Sequence, residues 1–211
     1  MLVGGAALVL IWPAISLAMV ALAYGTARPG LFCKNRPGIG ARIVRGLLLP
    51  YTIGASANAW AWLRGRDASS MIVPGLRIGG IPAAPGGARV IDLCAEIPRS
   101  GAQAPGRFLP MLDLVVPEPP DLIRAARAIE AEHRAVPGGD VLVCCALGYG
   151  RSAAVAATWL VVYGHVDAVQ AAVTLIRIRR PGTAIGQREV AAIARAVQLC
   201  AARDPSRGSG D

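Results

Sequence analysis

The chain has 211 residues and a net charge of +9, enough for one domain and an appendage. Its five cysteines are odd in number and scattered, which excludes a disulfide-built secreted scaffold, and no Cys-x2-Cys pair offers a zinc site. The basic excess sits early: Arg28, Lys34, Arg36, Arg42, Arg45, Arg64 and Arg66 face only Asp67 in residues 1–70. It is not interleaved with aromatics as nucleic-acid-binding surfaces are, so it reads as facing anionic lipid or as a solvated loop.

From the N-terminus, residues 1–24 hold no charged side chain, and a bilayer crossing takes about 20 apolar residues. This predicts a transmembrane helix. A cleaved signal peptide, with Ala21-Leu22-Ala23 as its small-residue site, fits less well, because no Lys or Arg precedes the apolar run. Residues 25–45 form a basic Gly/Pro loop. Residues 46–64 are a second apolar segment, spanning or interfacial, whose Trp60 and Trp62 beside Arg64 and Arg66 resemble an interfacial belt. The charge rule prefers a single span, with loop and domain on the cytosolic side.

A soluble α/β pattern begins near residue 68. Ile72 to Gly80 reads as a strand pair about Pro74-Gly75, Ala88 to Cys94 as a strand, and Arg107 to Asp113 as another. A proline-rich loop follows, Val116-Pro117-Glu118-Pro119-Pro120, and Asp121 is placed to cap a helix from Leu122 to Arg134. Val141 to Cys145 is a short buried strand. Helices are expected from Ser152, from about Asp167 to Arg179, and from Gln187 to Ala202, with a polar tail over 203–211.

The chemistry concentrates at Cys145-Ala146-Leu147-Gly148-Tyr149-Gly150-Arg151-Ser152. Strand, glycine-bearing loop and helix start bring backbone N–H groups together on an anion. A guanidinium offers a planar fork for two phosphate oxygens, and its charge lowers the pKa of a nearby thiol. These residues suggest phosphoryl transfer to cysteine.

This stretch resembles the C-x5-R-[S/T] signature of the cysteine-dependent protein tyrosine phosphatases, and the element order over 71–202 resembles their dual-specificity branch. The resemblance implies an α/β dual-specificity phosphatase-like domain over residues 68–202, here preceded by one or two membrane helices. It implies Cys145 as nucleophile and Arg151 with the backbone of Ala146, Leu147, Gly148, Tyr149 and Gly150 as the phosphate cradle. Asp113 matches the general acid, with Glu118 as the backup, and Ser152 matches the hydroxyl that assists departure of the thiolate. Cys94 matches the backdoor cysteine that some members use as a redox partner of the nucleophile. No cofactor and no metal are implied.

One position departs from the family. Cys144 stands where members usually have His before the nucleophile, so Cys145 is expected to be less acidic than in typical members. The implied activity is a membrane-anchored phosphomonoesterase acting on phosphotyrosine, phosphoserine and phosphothreonine proteins. The alternatives are a phospholipid phosphatase, for instance of phosphatidylglycerophosphate, and a non-catalytic phosphate-binding pseudophosphatase. The uncharged loop interior speaks against polyphosphoinositides. Thiolate chemistry needs a reducing compartment, so the expected location is the membrane with the domain facing the cytoplasm.

Overall fold

The structure, a computed structural model, describes residues 3–81, 88–98 and 106–203, with side chains from residue 10 to residue 202. The expected polar tail lies outside the described residues beyond Arg203. A five-stranded sheet forms the centre, in the order β1-β2-β5-β3-β4. Its strands are β1 (Ser69–Val73), β2 (Leu76–Gly80), β3 (Arg89–Cys94), β4 (Gly106–Met111) and β5 (Val141–Cys145). Only β1 runs antiparallel to its neighbour; the β2–β5, β5–β3 and β3–β4 pairs are parallel. Every residue of β5 is buried, as expected of a central parallel strand covered on both faces.

Four helices follow the sheet's connections: α4 (Pro119–Ala135), α5 (Arg151–Val162), α6 (Val169–Arg179) and α7 (Gln187–Arg203). Helix α5 is buried from Arg151 to Leu160. Alanines at 153, 154, 156 and 157 let it run close beneath the sheet, and Trp159 closes the core at its far end. The predicted strands and helices of the α/β part lie within a few residues of those observed. Asp121 does not cap α4. The N-cap is Glu118, which makes no side-chain capping bond, and Asp121 pairs with Arg124 at 2.9 Å.

The N-terminal third departs from expectation. It folds as α1 (Val3–Gly25), a 3-10 turn (Pro29–Phe32), α2 (Ile39–Leu47) and α3 (Leu49–Leu63). No helix among the described residues is long and apolar enough to cross a membrane. The second apolar segment is divided at Leu48, and the 15 residues of α3 span only about 22 Å at ~1.5 Å per residue, short of a ~30 Å hydrocarbon core. Helix α1 packs instead on the rest of the chain. Ala23 and Ser16 are buried, and the Trp12 indole donates to the Gly46 carbonyl at 3.2 Å. Ser16 Oγ accepts from the Tyr51 amide at 3.3 Å. The opposite face of α1 leaves Leu10, Ile11, Ile15 and Leu17 exposed.

The expected transmembrane helices, and the membrane location built on them, are therefore corrected. These helices form a cap on the end of the sheet where the parallel strands finish. The cap is fixed by charge as well as by apolar packing. Lys34, the chain's only lysine, reaches Asp92 on β3 at 2.7 Å and the Cys94 carbonyl at 2.7 Å. Its side chain is 5% exposed. The expectation of a basic loop facing lipid or water fails at this residue, because its charge is used inside the molecule.

Candidate active site

The chain turns sharply after β5 and re-enters as α5. Gly148 has φ +80°, the left-handed region that glycine adopts freely. A Cβ there would run into the backbone of Gly79 on β2. Gly148→Ala is thus expected to lower the unfolding free energy by at least ~2 kcal/mol, read by denaturant titration, and to spread the loop.

The turn curls around the sulfur of Cys145, which is 3% exposed at the floor of the cradle. The Gly148 amide donates to Sγ at 3.2 Å, and Ser152 Oγ lies 3.5 Å from it. Burial alone would raise this thiol. The Arg151 charge, the Ser152 hydroxyl and the amides of Ser152 and Gly148 outweigh it and hold the thiol below its ordinary value. The loop and Arg151 thus lower the thiol with no histidine at position 144. Cys144 itself lies fully buried on β5, paired with Gly79 on one side and Asp92 on the other.

Iodoacetate labelling of Cys145 should reach half its limiting rate at a pH below the ordinary thiol value. The reactive thiolate is lost only as pH falls through the depressed pKa. Cys145→Ser supplies the background from the other cysteines, and a midpoint at or above the ordinary value contradicts the assignment.

Arg151 opens α5 and is itself 3% exposed. One end of its guanidinium is committed: Nη1 donates to Glu96 Oε2 at 2.9 Å and to the Met111 carbonyl at 2.6 Å. The other end is not. Nε and Nη2 are buried without a hydrogen-bond acceptor. Nη2 lies 3.2 Å from Asp113 Oδ1, close enough to attract but not aligned for a hydrogen bond. Unmet donors on a buried cation are costly unless an anion comes to them. Together with the loop amides they can hold a tetrahedral oxyanion against Sγ.

Glu96 is the hub behind this arrangement. It accepts from Arg151, from the Asp113 amide at 2.7 Å, from the Tyr24 hydroxyl at 3.1 Å and from the Cys94 thiol at 3.3 Å. Burial would raise its carboxyl; the charge and hydrogen bonds of Arg151 and the Asp113 amide outweigh that and keep it ionised. Asp113 follows β4 with its side chain 43% exposed, at the mouth of the cradle. Cys94 is buried at the end of β3, its thiol pushed up to about 12 chiefly by burial.

No family model and no curated protein matches the chain. Solved structures do. The chain is similar to a mouse putative dual specificity phosphatase crystallised with zinc tungstate, at 24% identity and TM-score 0.55, covering 64% of this chain and 90% of that one. It is similar to human DUSP28, at 20% identity and TM-score 0.54, covering 63% and 94%. It is similar to PTPMT1 crystallised in complex with PI(5)P, at 17% identity and TM-score 0.54, covering 65% and 99%. The fold is that of the dual-specificity phosphatases.

Within that fold Cys145, Arg151, Asp113 and Ser152 gather at one end of the sheet, around the turn from Ala146 to Gly150. Glu118, the backup acid, is exposed at the start of α4 and does not line the cleft above Asp113.

Two residues that shape the site were not singled out from sequence. Glu96 follows β3 in Ala95-Glu96-Ile97, with no local pattern to mark it. Arg180, just after α6, clamps the turn from behind. Its guanidinium donates to the carbonyls of Gly148 at 2.8 Å and Leu147 at 3.1 Å and stacks on Tyr149 at 4.4 Å. The helix end expected at Arg179 gave no sign that the next residue turns inward.

Proposed function

We propose that the chain is a cysteine-dependent phosphomonoesterase acting on phosphorylated side chains of proteins. The observation that carries the reading is the buried guanidinium of Arg151, whose unmet donors sit beside a thiol held acidic by the same charge.

In the first step the Cys145 thiolate attacks phosphorus and the ester P–O bond breaks. Arg151 and the loop amides hold the three equatorial oxygens as charge spreads over them. Asp113, protonated, gives its proton to the departing alkoxide or phenoxide. In the second step Asp113, now a carboxylate, takes a proton from water as the water attacks phosphocysteine. The P–S bond breaks, the Ser152 hydroxyl donates to the departing thiolate, and inorganic phosphate leaves.

A lipid monoester is the second reading. The cleft above Asp113 has an apolar wall, and one similar structure, PTPMT1, was crystallised in complex with PI(5)P. Full-length protein assayed on phosphotyrosine, phosphoserine and phosphothreonine peptides beside a phosphatidylglycerophosphate separates these readings. Peptide turnover is expected. Lipid turnover alone favours the second reading, and phosphate binding without turnover makes the chain a pseudophosphatase.

Cys94 carries a separate proposal. Peroxide oxidises Cys145 to a sulfenic acid, the Cys94 thiol attacks that sulfur, and water leaves as the disulfide forms. The raised Cys94 pKa makes this step slow at neutral pH. A Cys94–Cys145 peptide cross-link by mass spectrometry after peroxide supports it; sulfinic acid at Cys145 without the cross-link overturns it.

A further inference from the structure

We infer that the N-terminal helical cap completes the substrate cleft, and that Tyr24, Tyr51 and Asn58 form a cation-free wall selecting for an uncharged aromatic group beside the phosphate. The inference rests on the phosphatase reading and deepens it.

The cleft has a volume of about 400 Å³ and opens over the phosphate loop. One side belongs to the site described above: Glu96, Asp113 and Leu147. The other side comes from the cap, with Tyr24 at the end of α1 and Tyr51 and Asn58 on α3. The solved structures above match 63–65% of this chain, about the length of the run from β1 to the end of α7.

The wall is held in place. Tyr24 is tied by its hydroxyl to Glu96, and the Tyr51 ring sits 6.0 Å from that of Phe32. The Lys34–Asp92 pair pins the segment between α1 and α3 to the sheet. Burial, and then the Glu96 charge, raise both phenols above their ordinary value, so they meet a substrate as neutral rings.

Charge sets the selectivity. Among the described residues no lysine or arginine lines the cleft, whereas Glu96, held ionised, and Asp113 do. Arg151 is committed to the first phosphate. Arg151 Nη1 already offsets Glu96, so a second anion on the substrate would find no further cation among the described residues lining the cleft. An aromatic ring would rest against two tyrosines, where ring contacts and apolar burial both favour it.

The test is binding of non-hydrolysable phosphonates to the full-length protein by titration calorimetry, so that it does not depend on turnover. Methylphosphonate reports the phosphate loop alone. Benzylphosphonate adds the ring, butylphosphonate adds a chain without a ring, and 4-carboxybenzylphosphonate adds a second charge. Benzylphosphonate is expected to bind about tenfold tighter than methylphosphonate, and the carboxylate to remove most of that gain. In Tyr51→Ala the benzyl-to-methyl ratio should fall to within about threefold. Asn58, exposed at the rim, gives a second variant: Asn58→Arg should recover the carboxylated compound.

The inference is overturned by a benzyl-to-methyl ratio near one, by a ratio indifferent to Tyr51→Ala, or by butylphosphonate outbinding benzylphosphonate. If no phosphonate binds, the phosphate-site reading has failed and the wall with it. If the phosphonates bind as expected and aryl phosphates are not hydrolysed, the wall stands and the enzymatic reading fails.

Discussion

Cys145→Ser is expected to lose aryl phosphate hydrolysis by a factor on the order of 10^4 or more, with phosphate binding retained. Serine preserves the shape of the turn. Its hydroxyl can still accept from the Gly148 amide and lie near Ser152, the two contacts made by Sγ. What it cannot do is ionise near neutral pH. The Arg151 charge and the loop amides bring a thiol below its ordinary value, but the same field leaves an alcohol protonated. A hydrogen-bonded, unionised oxygen is a poor nucleophile at phosphorus, so kcat collapses while the dissociation constant of inorganic phosphate changes little. Measurement of 4-nitrophenyl phosphate turnover beside phosphate titration checks both halves. Retained turnover would remove Cys145 from the reaction.

Glu96→Ala carries the second large effect, on stability and rate together. The carboxylate and Arg151 are each 3% exposed in side-chain area, and breaking a buried pair by removing one partner costs about 3–5 kcal/mol. The Asp113 amide, the Tyr24 hydroxyl and the Cys94 thiol lose their acceptor as well. With Nη1 held by the Met111 carbonyl alone, the guanidinium is less firmly aimed, and turnover should fall at least ~100-fold.

Glu96→Gln is the milder variant and separates aiming from folding. It keeps an amide oxygen for some of these donors but removes the negative charge beside Arg151. The field at Cys145 then becomes more positive. The sign follows: the thiol pKa drops further and the alkylation midpoint moves to lower pH, even as turnover falls. A lower midpoint together with lower turnover separates lost aiming of Arg151 from a lost nucleophile. Glu96 thus acts as a positioning residue, through Arg151.

The α/β part of the fold was legible because its signals are local. Val141 to Cys145 is an apolar run long enough for a central strand, and the two glycines and the alanine-rich run after it mark the turn and α5. Cys145, Arg151, Ser152 and the turn residues lie within eight consecutive positions, so proximity in sequence carried proximity in space. Asp113 was reachable only through the family resemblance and its proline-rich neighbour.

The N-terminal third was misread for the opposite reason. Hydropathy over residues 1–24 counts apolar side chains without regard to what covers them. It could not register that Ser16 and Ala23 are buried within the folded chain. Lys34 and Asp92 lie 58 positions apart, and Arg151 and Glu96 lie 55 apart; neither pair leaves a trace in local pattern. The residues that hold the cap in place and aim the arginine are therefore those a linear reading passes over.

The central claim is that the Cys145 sulfur takes the phosphoryl group while Arg151 holds its oxygens. It is tested most directly by acid-quenching Asp113→Asn protein during turnover of 4-nitrophenyl phosphate and mapping the phosphoryl group by mass spectrometry. The good leaving group lets the first step proceed, and loss of the base slows the second. One phosphoryl group on Cys145 is predicted, and none when Arg151→Met is added. Continued turnover with the phosphoryl group on another residue, or on none, would contradict the account.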